Sequence, residues 1–100
     1  MTSLIDVQKV DKHIAVVTLN RPEARNALSR ALLSELYTVL KQIDADRSIH
    51  CTILTAAGIK AFCAGADLKE RKGMSDDEVV DTVQLIGNVV TAIENMQMPV

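Results

Sequence analysis

The residues best placed to do chemistry in this chain are small rather than reactive. Ala64-Gly65-Ala66 lies between a short apolar run at residues 51–55 and a helix start at Asp67. With no bulky side chains in the way, another molecule can approach this backbone closely. The first amides of a helix lack internal partners, and the helix dipole makes that end partly positive. Such a turn suits an oxygen that is negative or becoming so. Lys69, Arg71 and Lys72 follow at once, where they could meet phosphates. A plainer reading stands beside this one: Gly65 makes a turn, Asp67 caps a helix, and nothing binds.

Other chemistry is poorly represented. Cys51 and Cys63 are twelve positions apart and fit no metal or redox spacing, so both read as reduced, partly buried small hydrophobes. His13 and His50 are isolated from them and from each other in pattern, and no metal is expected. The aromatics are Tyr37 and Phe62 alone, which excludes a stacking platform for single-stranded nucleic acid. Thirteen acids against eleven bases give a net charge of −2, too balanced for a nucleic-acid or membrane surface. Even the basic cluster at Lys69, Arg71 and Lys72 is interleaved by Asp67 and Glu70, which argues against RNA as a partner. No apolar run approaches the ~18 residues of a membrane span. Residues 1–10 carry Asp6 and Lys9 inside their apolar stretch and do not read as a signal peptide. A reducing compartment is expected, the cytoplasm by default, with an organelle interior left open.

The turn must be held by a scaffold. One hundred residues, 48% of them apolar, make one domain at most. Residues 4–10 alternate weakly and residues 13–19 are rich in β-branched types, with Asp11-Lys12 between them suited to a tight reversal; a β-hairpin is predicted. Asn20-Arg21-Pro22 ends the ladder because proline has no amide hydrogen. Ser29 then caps a helix to about Asp44, whose Leu32, Leu33, Leu36, Leu40 and Ile43 form one apolar stripe. Residues 51–55 read as a strand buried on both faces, and strand–helix–strand order implies a parallel pairing. After the short helix at Asp67, Ser75 and Glu78 form a capping box that opens a long helix to about Gln97. Its predicted core stripe is Val79, Val83, Ile86, Val90 and Ile93. The expected class is α/β, in the order strand, strand, helix, strand, short helix, long helix. Met98-Pro99-Val100 reads as the approach to a further strand, so a cut from a longer chain is expected after Val100.

Two segments taken together narrow the reading. Asn20-Arg21-Pro22-Glu23-Ala24-Arg25-Asn26-Ala27-Leu28, followed by Phe62-Cys63-Ala64-Gly65-Ala66-Asp67-Leu68-Lys69-Glu70, resembles the enoyl-CoA hydratase (crotonase) family. Strand residues Val17-Thr18-Leu19 and Ile53-Leu54-Thr55 precede the two motifs as they do in that family. Residues 64–71 most resemble its methylglutaconyl-CoA hydratase-like branch. The resemblance implies a spiral of ββα units, of which residues 1–100 would be the N-terminal part of a single domain, and assembly into trimers or paired trimers.

It also implies a substrate and a site. In that family an acyl-CoA thioester binds with its carbonyl oxygen held by two backbone amides, one of which corresponds here to Ala66. Ala24, Arg25 and Ala27 would line the pocket for the adenine-bearing end of CoA. Ala64, Gly65, Asp67 and Leu68 would shape the acyl and pantetheine path, and Lys69 would approach a CoA phosphate. Glu23 stands where some relatives have lysine, so a phosphate contact is lost there. Coenzyme A enters as part of the substrate, and no separate cofactor is expected. The family's second oxyanion glycine and its two catalytic glutamates correspond to positions beyond Val100, so the chain alone is expected to be inactive. Two alternatives stay open on sequence: a non-catalytic CoA-binding or assembly module, and another crotonase-type reaction such as isomerisation or thioester hydrolysis.

Overall fold

The β-branched run after His13 forms the central strand of a three-stranded sheet in a computed structural model that describes residues 3–100. Met1 and Thr2, which open the stretch tested above for a signal peptide, lie outside the described residues. Strand β1 (Ile5–Val10) pairs antiparallel with β2 (Ile14–Leu19), and β3 (Cys51–Ala56) pairs parallel with β2 on its other side. The reversal after β1 places Asp11 and Lys12 both at positive φ, 52° and 68°. That left-handed pair gives the turn the twist that the flanking strands need.

Between β2 and β3 the chain makes a single 3-10 turn, Pro22–Ala24, and then helix α1 (Arg30–Asp44). Ser29 caps α1 through its hydroxyl, which accepts the Leu32 N–H at 3.2 Å. The leucine stripe behaves as the spacing requires: Leu32, Leu33, Leu36, Leu40 and Ile43 are all buried, packed with Ala15, Val17 and Leu19 of the sheet. Each such side chain contributes about 1.5–3 kcal/mol by leaving water. From the same helix, the Glu35 carboxylate accepts the N–H groups of Leu4 and Ile5 at 3.1 and 3.2 Å and the Ser3 hydroxyl, tying the start of β1 to α1. Burial raises its pKa, but these bonds outweigh it and leave the carboxyl below its ordinary value.

Beyond β3 come a short helix α2 (Leu68–Lys72) and a long α3 (Asp76–Glu94) laid against α1. Three expectations need correction here. Strand β3 is covered on one face only: Thr52 is buried, but Ile53 is 47% exposed, because among the described residues no element packs on the far side of the sheet. Helix α3 stops at Glu94 with Asn95 as its C-cap, short of Gln97. Its buried line is also rotated from the predicted stripe. Val89 is buried and Leu85, Ile86, Ala92 and Ile93 pack beside it, whereas Val83 and Val90 are 60% and 55% exposed. So many residues of α3 are apolar that two overlapping stripes satisfy helical spacing, and only contact with α1 selects between them.

His13 and His50 are not isolated either. The parallel pairing of β2 with β3 brings their rings into a stack with centroids 4.4 Å apart. Parallel ring planes cannot aim two nitrogen lone pairs at one ion. Among the described residues no group of three or more His, Cys, Asp or Glu side chains could hold a metal, and no helix is long and apolar enough to cross a membrane.

Candidate functional site

Two connections meet at the carboxyl ends of the parallel strands: residues 20–29 after β2 and residues 57–67 after β3. They are stitched together by backbone. The Ala64 N–H donates to the Arg25 carbonyl at 3.0 Å, and the Leu28 N–H donates to the Gly65 carbonyl at 2.7 Å. The second contact makes an isolated parallel bridge between Leu28 and Ala66.

Side chains complete the seam. The Arg21 guanidinium meets the Asp67 carboxylate at 2.7 Å and the Ala27 carbonyl at 3.3 Å. Asp67 also caps α2, accepting the Glu70 N–H at 3.1 Å. The Arg21 bond first, then the Glu70 amide, holds the Asp67 carboxyl below the usual carboxylate range against the opposing effect of burial. Glu70 reaches across to accept the Arg30 N–H at 2.9 Å, satisfying an open donor at the start of α1. Asn26, wholly buried at the centre, bonds to both connections.

Next to this seam is an open cleft of about 860 Å³. Of the residues singled out in the sequence, Ala24, Arg25 and Ala27 line it from the first connection. Ala64, Ala66, Asp67, Leu68 and Lys69 line it from the second. Gly65 does not: it lies behind, with φ at 91°, a conformation that L-residues rarely adopt, and its N–H is 3.4 Å from the Cys63 sulfur. Arg21, Glu23 and Glu70 are additional lining residues. With Arg21 neutralised by Asp67, Arg25 and Lys69 are the cations at the cleft that make no ion pair among the described residues.

Ala66 offers a main-chain donor at the cleft. It is exposed, and among the described residues its N–H meets no protein acceptor. Its carbonyl-side neighbour explains the orientation. Among the described residues every peptide bond is trans, so the Gly65 C=O and the Ala66 N–H point in opposite directions. The C=O is taken by Leu28, and the N–H therefore faces away from that segment. Helix α2 adds little to this donor, being five residues long with its Glu70 amide already capped, so its dipole is smaller than the sequence predicts. A second hollow of about 390 Å³ opens on the other side of Arg25, lined by Pro22, Asn26 and residues 57–61.

Arg21 and Asn26 are the contributors that sequence reasoning passed over. Both stand inside the first quoted motif, but the bonds that tie them to the second connection span 31 and 46 residues, and no local spacing reports those.

The enoyl-CoA hydratase/isomerase family model matches residues 9–100. The enoyl-CoA hydratase/isomerase YngF of Bacillus subtilis (strain 168) is 44% identical over 90 residues, 90% of this chain and 35% of that protein. The human mitochondrial enoyl-CoA hydratase domain-containing protein 2 is 42% identical over 90 residues, 89% of this chain and 30% of that one. The crystal structure of enoyl-CoA hydratase from Bacillus anthracis matches with a TM-score of 0.93 at 42% identity, covering 97% of this chain and 38% of the other. The chain spans about a third of the length of the curated relatives it matches.

Proposed function

The chain belongs to the enoyl-CoA hydratase/isomerase family, and from that membership we propose that it is the N-terminal part of an enzyme adding water to 2-enoyl-CoA thioesters. Over the part present it has the crotonase fold. The observation that carries the reading is the Ala66 N–H, without a protein acceptor among the described residues and bordering the cleft.

Hydration places a hydroxyl on the β-carbon and a proton on the α-carbon. As the hydroxyl adds, electron density moves onto the thioester oxygen and an enolate-like state forms. A fixed N–H aimed at that oxygen binds this state more tightly than the substrate, which is what lowers a barrier. Loss of one such donor costs about 3 kcal/mol, a hundredfold or more in rate. Arg25 and Lys69 would meet the phosphates of CoA, and Ala24 and Ala27 leave room for its adenine-bearing end. The smooth walls at Ala64 and Leu68 would pass the pantetheine and acyl parts. A second donor and the acid and base would come from the remainder of the protein, as the resemblance implies, together with assembly into trimers or paired trimers. No cofactor beyond the substrate's own CoA takes part. We place the protein in a reducing compartment, the cytoplasm or an organelle interior, as the sequence reading expects.

The test is turnover by the whole protein, followed as loss of enoyl-thioester absorbance, beside a 3-enoyl-CoA isomerisation assay. Hydration at an enzymatic rate is the expected result. Isomerisation alone would move the reading to the other named activity of the family. Tight thioester binding without either reaction would make it a CoA-binding module.

A further inference from the structure

The peptide that presents the Ala66 N–H is held by a loop in an unusual conformation. Arg25 and Asn26 are consecutive non-glycine residues in the left-handed region, with φ of 53° and 57°. Outside a hairpin turn such as that at Asp11-Lys12, a pair of this kind is costly and has to be held by its surroundings. Here the Asn26 carboxamide does the holding. Its Oδ1 accepts the Arg21 N–H at 2.8 Å, and its Nδ2 donates to the Ala57 and Ala61 carbonyls at 2.9 and 3.3 Å. The Asn26 N–H closes the turn on the Arg21 carbonyl at 2.8 Å. The side chain is wholly buried, so a bond it loses carries a desolvation cost.

The loop so held grips the tripeptide at two points, through the Arg25 carbonyl on Ala64 and the Leu28 N–H on Gly65. The bond to the Gly65 C=O matters doubly. It aims the Ala66 N–H the opposite way across a planar amide, and by polarising that amide it makes the N–H a better donor. We propose that Asn26 is a positioning residue for this donor: its carboxamide sets the loop that orients the Gly65–Ala66 peptide toward the developing oxyanion. The inference rests on the reading of Ala66 given above. Charge on the oxygen is largest in the transition state, so a misaimed donor lowers kcat more than it raises KM.

The experiment uses Asn26→Gly and Asn26→Asp in the whole protein. The first accepts the left-handed backbone but has no carboxamide. The second keeps size and the Oδ1 acceptor but loses both Nδ2 donations. With fold checked by circular dichroism and melting, each variant is expected to lose at least tenfold in kcat on 2-enoyl-CoA, with KM within threefold of the parent. The carbonyl stretch of a bound saturated acyl-CoA, lowered in the parent, is expected to return toward its solution frequency in both. A folded variant keeping kcat within twofold, or raising KM alone, would overturn the proposal. So would failure of both variants to fold, which would assign Asn26 to the fold only. A parent protein that neither turns over substrate nor lowers the carbonyl frequency would overturn the reading of Ala66 itself.

Discussion

In the proposed reaction Ala66 would act through its main chain, so its side chain can be used only to obstruct. The residue is exposed at the cleft, and Ala66→Ile would place a branched group where the proposed thioester would lie. The expected result is a loss of a hundredfold or more in kcat/KM, with the melting temperature within a few degrees of the parent. Loss of stability in proportion to activity would contradict it. Asp67 gives a complementary prediction from pH. Its pKa is lowered in the fold by Arg21 and the Glu70 amide, so its stabilising effect is present above the ordinary carboxylate pKa of ~3.9. That contribution is lost as the pH falls through the lower folded value. Asp67→Asn should therefore cost stability at neutral pH and narrow its gap from the parent in acid, measured by denaturant melts from pH 7 to pH 3. An unchanged gap would mean that the ion pair contributes nothing.

Among the elements, the turns and caps can be tested separately from the site. Lys12 is held at φ 68° without any side-chain reason for it. Lys12→Gly should stabilise the hairpin by about 1 kcal/mol, seen as a higher denaturation midpoint at constant m. Ser75→Ala removes the capping box of α3, where the Ser75 hydroxyl and Glu78 carboxylate serve each other's backbone, and should cost about 1 kcal/mol. These elements were legible because their signals are local: a cap precedes its helix, and the stripe of α1 is the only apolar line on that helix. Helix α3 was legible in its start but not in its face, since Val83 and Val90 fit a helical stripe as well as Val89 does. The far face of β3 was misjudged for a similar reason, an apolar run being unable to say how many sides are covered.

In the molecule as a whole, the leucine stripe of α1 is covered and the apolar surface of α3 is only partly so. On α3, Val80, Val83 and Val90 are 63%, 60% and 55% exposed. The isolated 100-residue chain should self-associate through that side, giving a scattering mass that rises with concentration, and Val83→Lys with Val90→Lys should suppress it. A monomer at all concentrations would contradict this. The cleft residues were legible together because two motifs about 40 residues apart converge on one end of the sheet. Arg21 and Asn26 were not, because their work is done through long-range bonds that only the assembled loops reveal.

The most direct test of the account follows one amide. Gly65-Ala66 is the only Gly-Ala pair in these residues, so carbonyl-13C glycine with 15N alanine marks that amide among them. In the whole protein, titration with a saturated acyl-CoA should move the Ala66 proton downfield in step with ligand binding, as its N–H gains the thioester oxygen. An Ala66 resonance that stays in place while the labelled alanine amides at Ala24 and Ala64 shift would contradict the account, because the ligand would then occupy the cleft without using this donor.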